Sequence, residues 1–246
     1  MIAVLRWWLA LTALGVVAYP LTWRLCQPLP DRGLTVARPL GLLAVSYGTW
    51  LLVILGWMEH RLSSILLVTL LVAVGSTMVW RRDGPEIRAW LRGRWRLALG
   101  LELLFLLALA LFALFRAYNP EIAATEKPME FAFLNGVLRS RSFPPADPWL
   151  AGYGISYYYL GYVMMALLTR LSGVASAVGF NLMGATLFAL TVSGAFGLGY
   201  DLMAARTPRT GRAEDGGRAA VTAGGLTAVM VAAMGNLEGL FELIRA

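Results

Sequence analysis

Glu126 and Glu130 stand four residues apart in the run TEKPME, and Asp147 follows in FPPADPW. Residues at i and i+4 of a helix share a face, so the two glutamates would present their carboxylates together. A chain folded back by the prolines would carry Asp147 towards them. Such a cluster can take a proton from an acceptor hydroxyl, or hold Mg²⁺ or Mn²⁺ through oxygen ligands, with Glu126 and Asp147 the first metal candidates. Lys127, Arg139 and Arg141 lie in the same stretch and suit a lipid phosphate or pyrophosphate, arginine through paired hydrogen bonds. Tyr157, Tyr158, Tyr159 and Tyr162 follow, either as anchors at the membrane–water boundary or as the wall of a site for a lipid-linked sugar. Against these readings stands a plainer one. Acids at a helix start complement the helix dipole, and nearby cations balance them.

The rest of the chain is apolar. Of 246 residues, 59% are hydrophobic and 14% charged, with a mean hydropathy of +0.66. That is more apolar surface than a soluble domain buries, and its runs are continuous over helical lengths instead of alternating. A soluble enzyme, a disordered tail, a disulfide scaffold and a β-barrel are all disfavoured. The expectation is an all-α polytopic membrane protein with about six spans. The lone Cys26 has no partner for a disulfide and reads as a small buried apolar residue. Phosphate-loop, dinucleotide, zinc-protease and serine-hydrolase motifs are absent, as is D-x-D. His60, the one histidine, reads as an ordinary interfacial residue.

Spans are expected at residues 2–23, 40–57, 64–80, 97–115, 177–200 and 219–235, all near the length that crosses a hydrocarbon core. The net charge is +7. Its arginines mark the cytoplasm: residues 81–96 hold six of them, interleaved with Trp90 and Trp95 at the headgroup boundary, and residues 204–218 hold another group. Nucleic acid is the weaker explanation for these charges, because they flank membrane spans. One further crossing places residues 116–156 on the extracytoplasmic side. Residues 157–171, at about 1.5 Å each, reach only some 22 Å and fall short of a core of about 30 Å. An odd number of crossings must link the outer loop to the next cytoplasmic loop, so this short segment is predicted to be interfacial or re-entrant.

Within the outer loop, Thr125 to Pro128 reads as a helix start, with Thr125 capping free amides and Pro128 in the first turn. A surface helix follows to about Arg139, with Met129, Phe133, Leu134, Val137 and Leu138 along one side. The prolines then hold Asp147 on a stiff extended turn. Glu102, inside the fourth span, needs a partner or water, since a charge at a helix centre costs roughly 2.5–3.5 kcal/mol on insertion scales. Arg96 and Arg6 are the partners in view, with a proton or ion pathway as the alternative.

The ordered runs NPEI, TEKPMEFAFLN, LRS, FPPADPWLAG and ISYYYLGY, with PLPDRG and ARPLG upstream and NLEG downstream, resemble the YYY-type membrane proteins, a family of undefined function named for its tyrosine triplet. That family is similar in layout to C-type membrane glycosyltransferases. In those enzymes an acidic residue opens the first outer loop, a surface helix and a proline-rich stretch follow, and an aromatic pair leads into a further helix. Glu126, Pro144, Pro145 and Tyr157 to Tyr159 match that order, although no D-E pair opens the loop and three extra spans precede it. The resemblance implies a three-span module over residues 1–96 and a glycosyltransferase-like core over 97–246. It also implies a polyprenyl-phosphate sugar donor and Glu126 as base or metal holder, supported by Glu130 or Asp147. A non-catalytic subunit or scaffold of a membrane assembly, docking through the outer loop, is the competing expectation. A transporter ranks third. Glu238 and Glu242 share a helical face with nothing after them to pack on, which suggests the first part of a longer reading frame.

Overall fold

Hydrocarbon offers backbone amides no water, so an apolar run of spanning length satisfies them internally, as a helix. The computed structural model of the chain describes residues 2–206, 213–234, 241, 244 and 245. Its helices are α1 (Ile2–Leu25), α2 (Ala37–Ile54), α3 (Leu62–Gly93), α4 (Trp95–Tyr118), α5 (Lys127–Arg139), α6 (Leu160–Ser172), α7 (Ser176–Arg206) and α8 (Ala213–Ala232). Among the described residues the only β pairing is an isolated bridge, Ala146 with Gly154. Five helices, α1 to α4 and α7, have the length and composition to cross a membrane. The protein is therefore an all-α, multi-pass membrane protein. Glu238, Glu242, the NLEG run and Arg209 and Arg212 of the basic loop lie outside the described residues.

The sixth expected span, residues 219–235, is helical as far as Ala232 within α8, but α8 is not one of the five. The helix also takes in the charged Glu214, Asp215 and Arg218 ahead of that apolar run. It pairs antiparallel with α7, where Gly224 lies against Phe196 and Gly199 against Thr227 and Ala223.

The basic stretch after the third span also differs from expectation. It continues α3 without a break through Pro85 to Gly93, and only Arg94 separates it from α4. At 32 residues α3 is about 48 Å long, well beyond a hydrocarbon core of about 30 Å. Tertiary contacts hold the overhang as helix. Arg24 of α1 pairs with Asp83 at 3.1 Å, Ile87 is fully buried, and Trp90 meets Trp23 edge-on at 5.4 Å. Trp90 thus belongs to a small core, whereas Trp95 remains exposed at the boundary.

The short segment forms the 13-residue helix α6, and both its ends meet groups from neighbouring helix ends. Trp50, near the end of α2, donates to the Tyr159 hydroxyl at the start of α6. At its other end α6 closes on Gly173 in the left-handed conformation (φ 65°) and the chain turns directly into α7. The first turns of α7 lie beside the last turn of α4, where Arg116 bonds the Asn181 side chain at 2.5–2.8 Å. One continuous apolar core draws on both halves of the chain, from Trp7 and Leu11 of α1 to Phe105, Leu182 and Ala189. Gly41 is required at the crossing of α1 and α2, since a side chain there would strike the Leu14 carbonyl.

Candidate functional site

Residues 119–159 gather the loop-borne polar groups on the face assigned outward by the arginine distribution, and α5 positions them. This helix begins at Lys127 with Pro128 in its first turn. Thr125 does not cap it: Ala124 and Thr125 take left-handed φ values of 64° and 52°, and Glu126 occupies the cap position with no side-chain bond to the helix amides. The expectation that Thr125 caps the helix is thereby corrected. The two left-handed residues turn the chain sharply into α5, so Thr125 is not left in the extended geometry that a cap prefers.

Phe133, Leu134 and Val137 are the buried residues of α5: Leu134 and Val137 pack with Val53 of α2, Val163 and Ala166 of α6, and Phe143, while Phe133 meets the Tyr157 and Tyr162 rings. The far end of the helix is held by groups from two other segments. His60 contacts the Val137 carbonyl through Nδ1 at 3.1 Å, and its backbone amide donates to Arg141 O at 2.7 Å. Arg170 of α6 donates to the Leu138 carbonyl at 2.6 Å. These bonds satisfy carbonyls that a helix C-terminus leaves open. His60 is therefore a buried structural residue, 1% exposed, and not merely an interfacial one. Burial, and then the Arg170 guanidinium, push its imidazole down to about 4.

The expected acidic cluster divides between the two ends of this helix. Glu126 and Glu130 are together at the N-terminal end, beside Lys127. Tyr162 of α6 lies near both, and burial followed by the Glu130 carboxylate, with a smaller part from Glu126, pushes its hydroxyl up. Asp147 is elsewhere. The backbone around it packs on Gly136, which is ten residues, or about 15 Å, further along α5 than Glu126. Its carboxylate is also engaged locally, accepting from Trp149 N at 2.8 Å and Leu150 N at 3.1 Å. The proline turn is braced by its own backbone, Asp147 N donating to Tyr153 O and Ile155 N to Pro145 O. Arg139 and Arg141 stand exposed at the Asp147 end, and neither they nor Lys127 form an ion pair among the described residues.

The tyrosine triplet serves three different purposes. Tyr157 packs on Phe133, Tyr158 is 86% exposed, and Tyr159 is fixed by the Trp50 bond and by Phe143. For a divalent ion the donor set does not fit. Glu126 and Asp147 lie at separate ends of α5, and among the described residues no three His, Cys, Asp or Glu side chains converge.

Two polar clusters went unrecognised in the sequence. Glu102 pairs not with Arg96 or Arg6 but with Arg38 at the start of α2, and its second oxygen accepts from Trp8 Nε1 at 2.9 Å. The Arg38 guanidinium lies 4.3 Å from the centre of the Phe105 ring. Arg96 is ruled out as the partner because it lies in the first turn of α4, at the mouth of a groove lined by α4, α7 and α8, whereas Arg38 enters between α1 and α4. At the end that the arginine distribution assigns to the cytoplasm, fully buried Asp31 accepts from Gly33 N, Thr35 N and Thr35 Oγ1, while its own amide donates to Asp201 of α7 at 2.8 Å. Arg94 donates to the Tyr200 hydroxyl nearby. The available signals were a charge beside an apolar run, Arg38, and a carboxylate closing one, Asp201.

No curated protein and no solved structure matches this chain. One family model does, over residues 44–246, which takes in α5, the proline turn, the tyrosine triplet and the helices that hold them. The chain belongs to the family described as uncharacterized membrane protein (DUF2298).

Proposed function

We propose that the outward face of this membrane protein is a sugar-transfer site, taking a polyprenyl-phosphate sugar as donor and an extracytoplasmic hydroxyl as acceptor. The observation that carries this reading is the pairing of Glu126 and Glu130 at the exposed start of a helix packed on α2 and α6, near Tyr162. Glu126 has no capping role and no ion-pair partner among the described residues, so its carboxylate is available as a base. In the transfer the acceptor oxygen bonds to the anomeric carbon and gives its proton to Glu126. The bond from that carbon to the phosphate oxygen breaks, and the lipid phosphate departs with the electron pair. Lys127 stands beside the pair to meet negative charge, while Tyr157 and Tyr158 offer rings against which a sugar can lie. Arg139, Arg141 and Asp147, about 15 Å along α5, fit contacts to a more distant part of a ligand. No step is routed through a metal.

The test is sugar transfer from a short-chain polyprenyl-phosphate monosaccharide by the purified full chain, compared with Glu126→Gln and Glu130→Gln. Loss of a proton acceptor lowers the rate by about 10²–10⁴-fold. Undiminished transfer in Glu126→Gln overturns the assignment. A second reading, a non-catalytic subunit docking through the outer loop, draws on the exposure of Trp149 (68%), Tyr153 (65%) and Tyr158 (86%). A partner that stays bound to wild type and is lost on Trp149→Ala and Tyr158→Ala, without sugar turnover, favours it. The transporter reading has least support, since α7 runs unbroken through Gly194, Gly197 and Gly199.

A further inference from the structure

On the cytoplasmic side, away from α5, the helices α4, α7 and α8 line an apolar cavity of about 680 Å³. This lies within the roughly 300–1,000 Å³ of small-molecule sites. The α4 wall runs from Arg96 to Leu104 and the α8 wall from Val221 to Ala233, which at 1.5 Å per residue are about 12 and 18 Å long. One leaflet of a bilayer core is about 15 Å deep. Phe188, at the far end of the α7 wall, stacks on Phe112 at 5.2 Å, on the side away from Arg96. The cavity is therefore one leaflet deep and does not offer the full-height channel that another spanning helix would need.

Its mouth carries positive charge. Arg96 lines it without an ion-pair partner among the described residues, against the Trp95 ring at 5.5 Å. Arg218 is exposed, and it precedes Val221, Gly225 and Ala228 on the same stripe of α8, since steps of three and four residues keep one helical face. Two glycines open the walls. A Cβ on Gly100 or on Gly225 would meet nothing within 4 Å.

We propose that this groove binds one anionic phospholipid of the cytoplasmic leaflet, with an acyl chain between α4, α7 and α8 and the phosphate on Arg96 and Arg218. Guanidinium groups hold phosphate by paired, charge-assisted hydrogen bonds, and the tryptophan supports the headgroup boundary. The site is separate from the proposed sugar-transfer site, which lies on the other membrane face.

Lipid retention on the purified full chain tests this. The protein is reconstituted in nanodiscs of phosphatidylcholine with a minor fraction of phosphatidylglycerol, then released and weighed by native mass spectrometry. One phosphatidylglycerol per chain is expected to persist, in preference to phosphatidylcholine. Gly100→Leu and Gly225→Leu fill open space on helices and raise helix propensity, so they should fold and lose the bound lipid. Arg96→Gln and Arg218→Gln should each reduce the preference for phosphatidylglycerol about fivefold while leaving phosphatidylcholine able to enter. Equal retention of the two lipids by wild type, no retained lipid, or unchanged retention in folded Gly100→Leu and Gly225→Leu protein overturns the proposal.

Discussion

Acidification should loosen the far end of α5 through one group, His60. Its imidazole is 1% exposed, contacts the Val137 carbonyl, and faces the Arg170 guanidinium. The ordinary value of 6.5 falls to about 4 in the fold. Because the folded value is the lower one, the undocked state takes up the proton first. Stability from this source is constant above about pH 6.5, declines as the pH falls to about 4, and is level below that. The full shift corresponds to about 3 kcal/mol, most of it already lost at pH 4.5, which is a rise in local opening on the order of 10²-fold. Amide hydrogen exchange on the α5 backbone in nanodiscs, corrected for intrinsic exchange rates, reads this directly. Protection of residues 131–139 should fall by that factor between pH 7 and 4.5 in wild type, and the pH dependence should disappear in His60→Leu. Equal corrected protection at both pH values, or an identical slope in His60→Leu, refutes the account of how α5 is held.

Two further outcomes follow from the spans. Removing one member of the Arg38–Glu102 pair leaves a charge among α1, α2 and α4, so Arg38→Met should lower stability by roughly 3 kcal/mol. The double variant Arg38→Met/Glu102→Leu should recover most of that loss in a thermal melt in detergent, and a double variant no better than the single one contradicts the pairing. With α6 turning back at the outer level, a cysteine at exposed Ala175 in a Cys26→Ser background should react with an impermeant maleimide added outside intact cells. Reaction from the cytoplasmic side alone reverses the topology.

Much of the membrane architecture was legible because hydrocarbon leaves long apolar runs one structural option. The first four spans and the seventh helix follow from that rule, as does α5 from its apolar spacing and Pro128. The 13-residue length of α6 was legible too, since the apolar run of residues 157–171 is short of spanning length. The rule did not predict where helices would continue beyond the apolar boundary. The overhang of α3 has a basic, proline-containing sequence that reads as loop, and it is helix because Trp23, Ile87 and Asp83 have partners from distant segments. Residues 219–235 were read as a sixth span, and what the sequence did not show is how closely they sit on α7, with Gly224 against Phe196.

The candidate site shows the same division. Glu126 with Glu130 was a local relation, set by the pitch of one helix, and it survives in the fold. Asp147 joining them depended on where a seventeen-residue return path would end, and the bridge between Ala146 and Gly154 fixes that path beside Gly136. The sequence by itself determined which stretches enter the membrane, which face collects arginine, and which carboxylates share a helical turn, since these depend on composition and short-range periodicity. Only the tertiary structure decided that Arg38 and not Arg96 meets Glu102, that His60 holds α5, and that Asp31 meets Asp201, because partners so far apart in the chain are chosen by how helices pack.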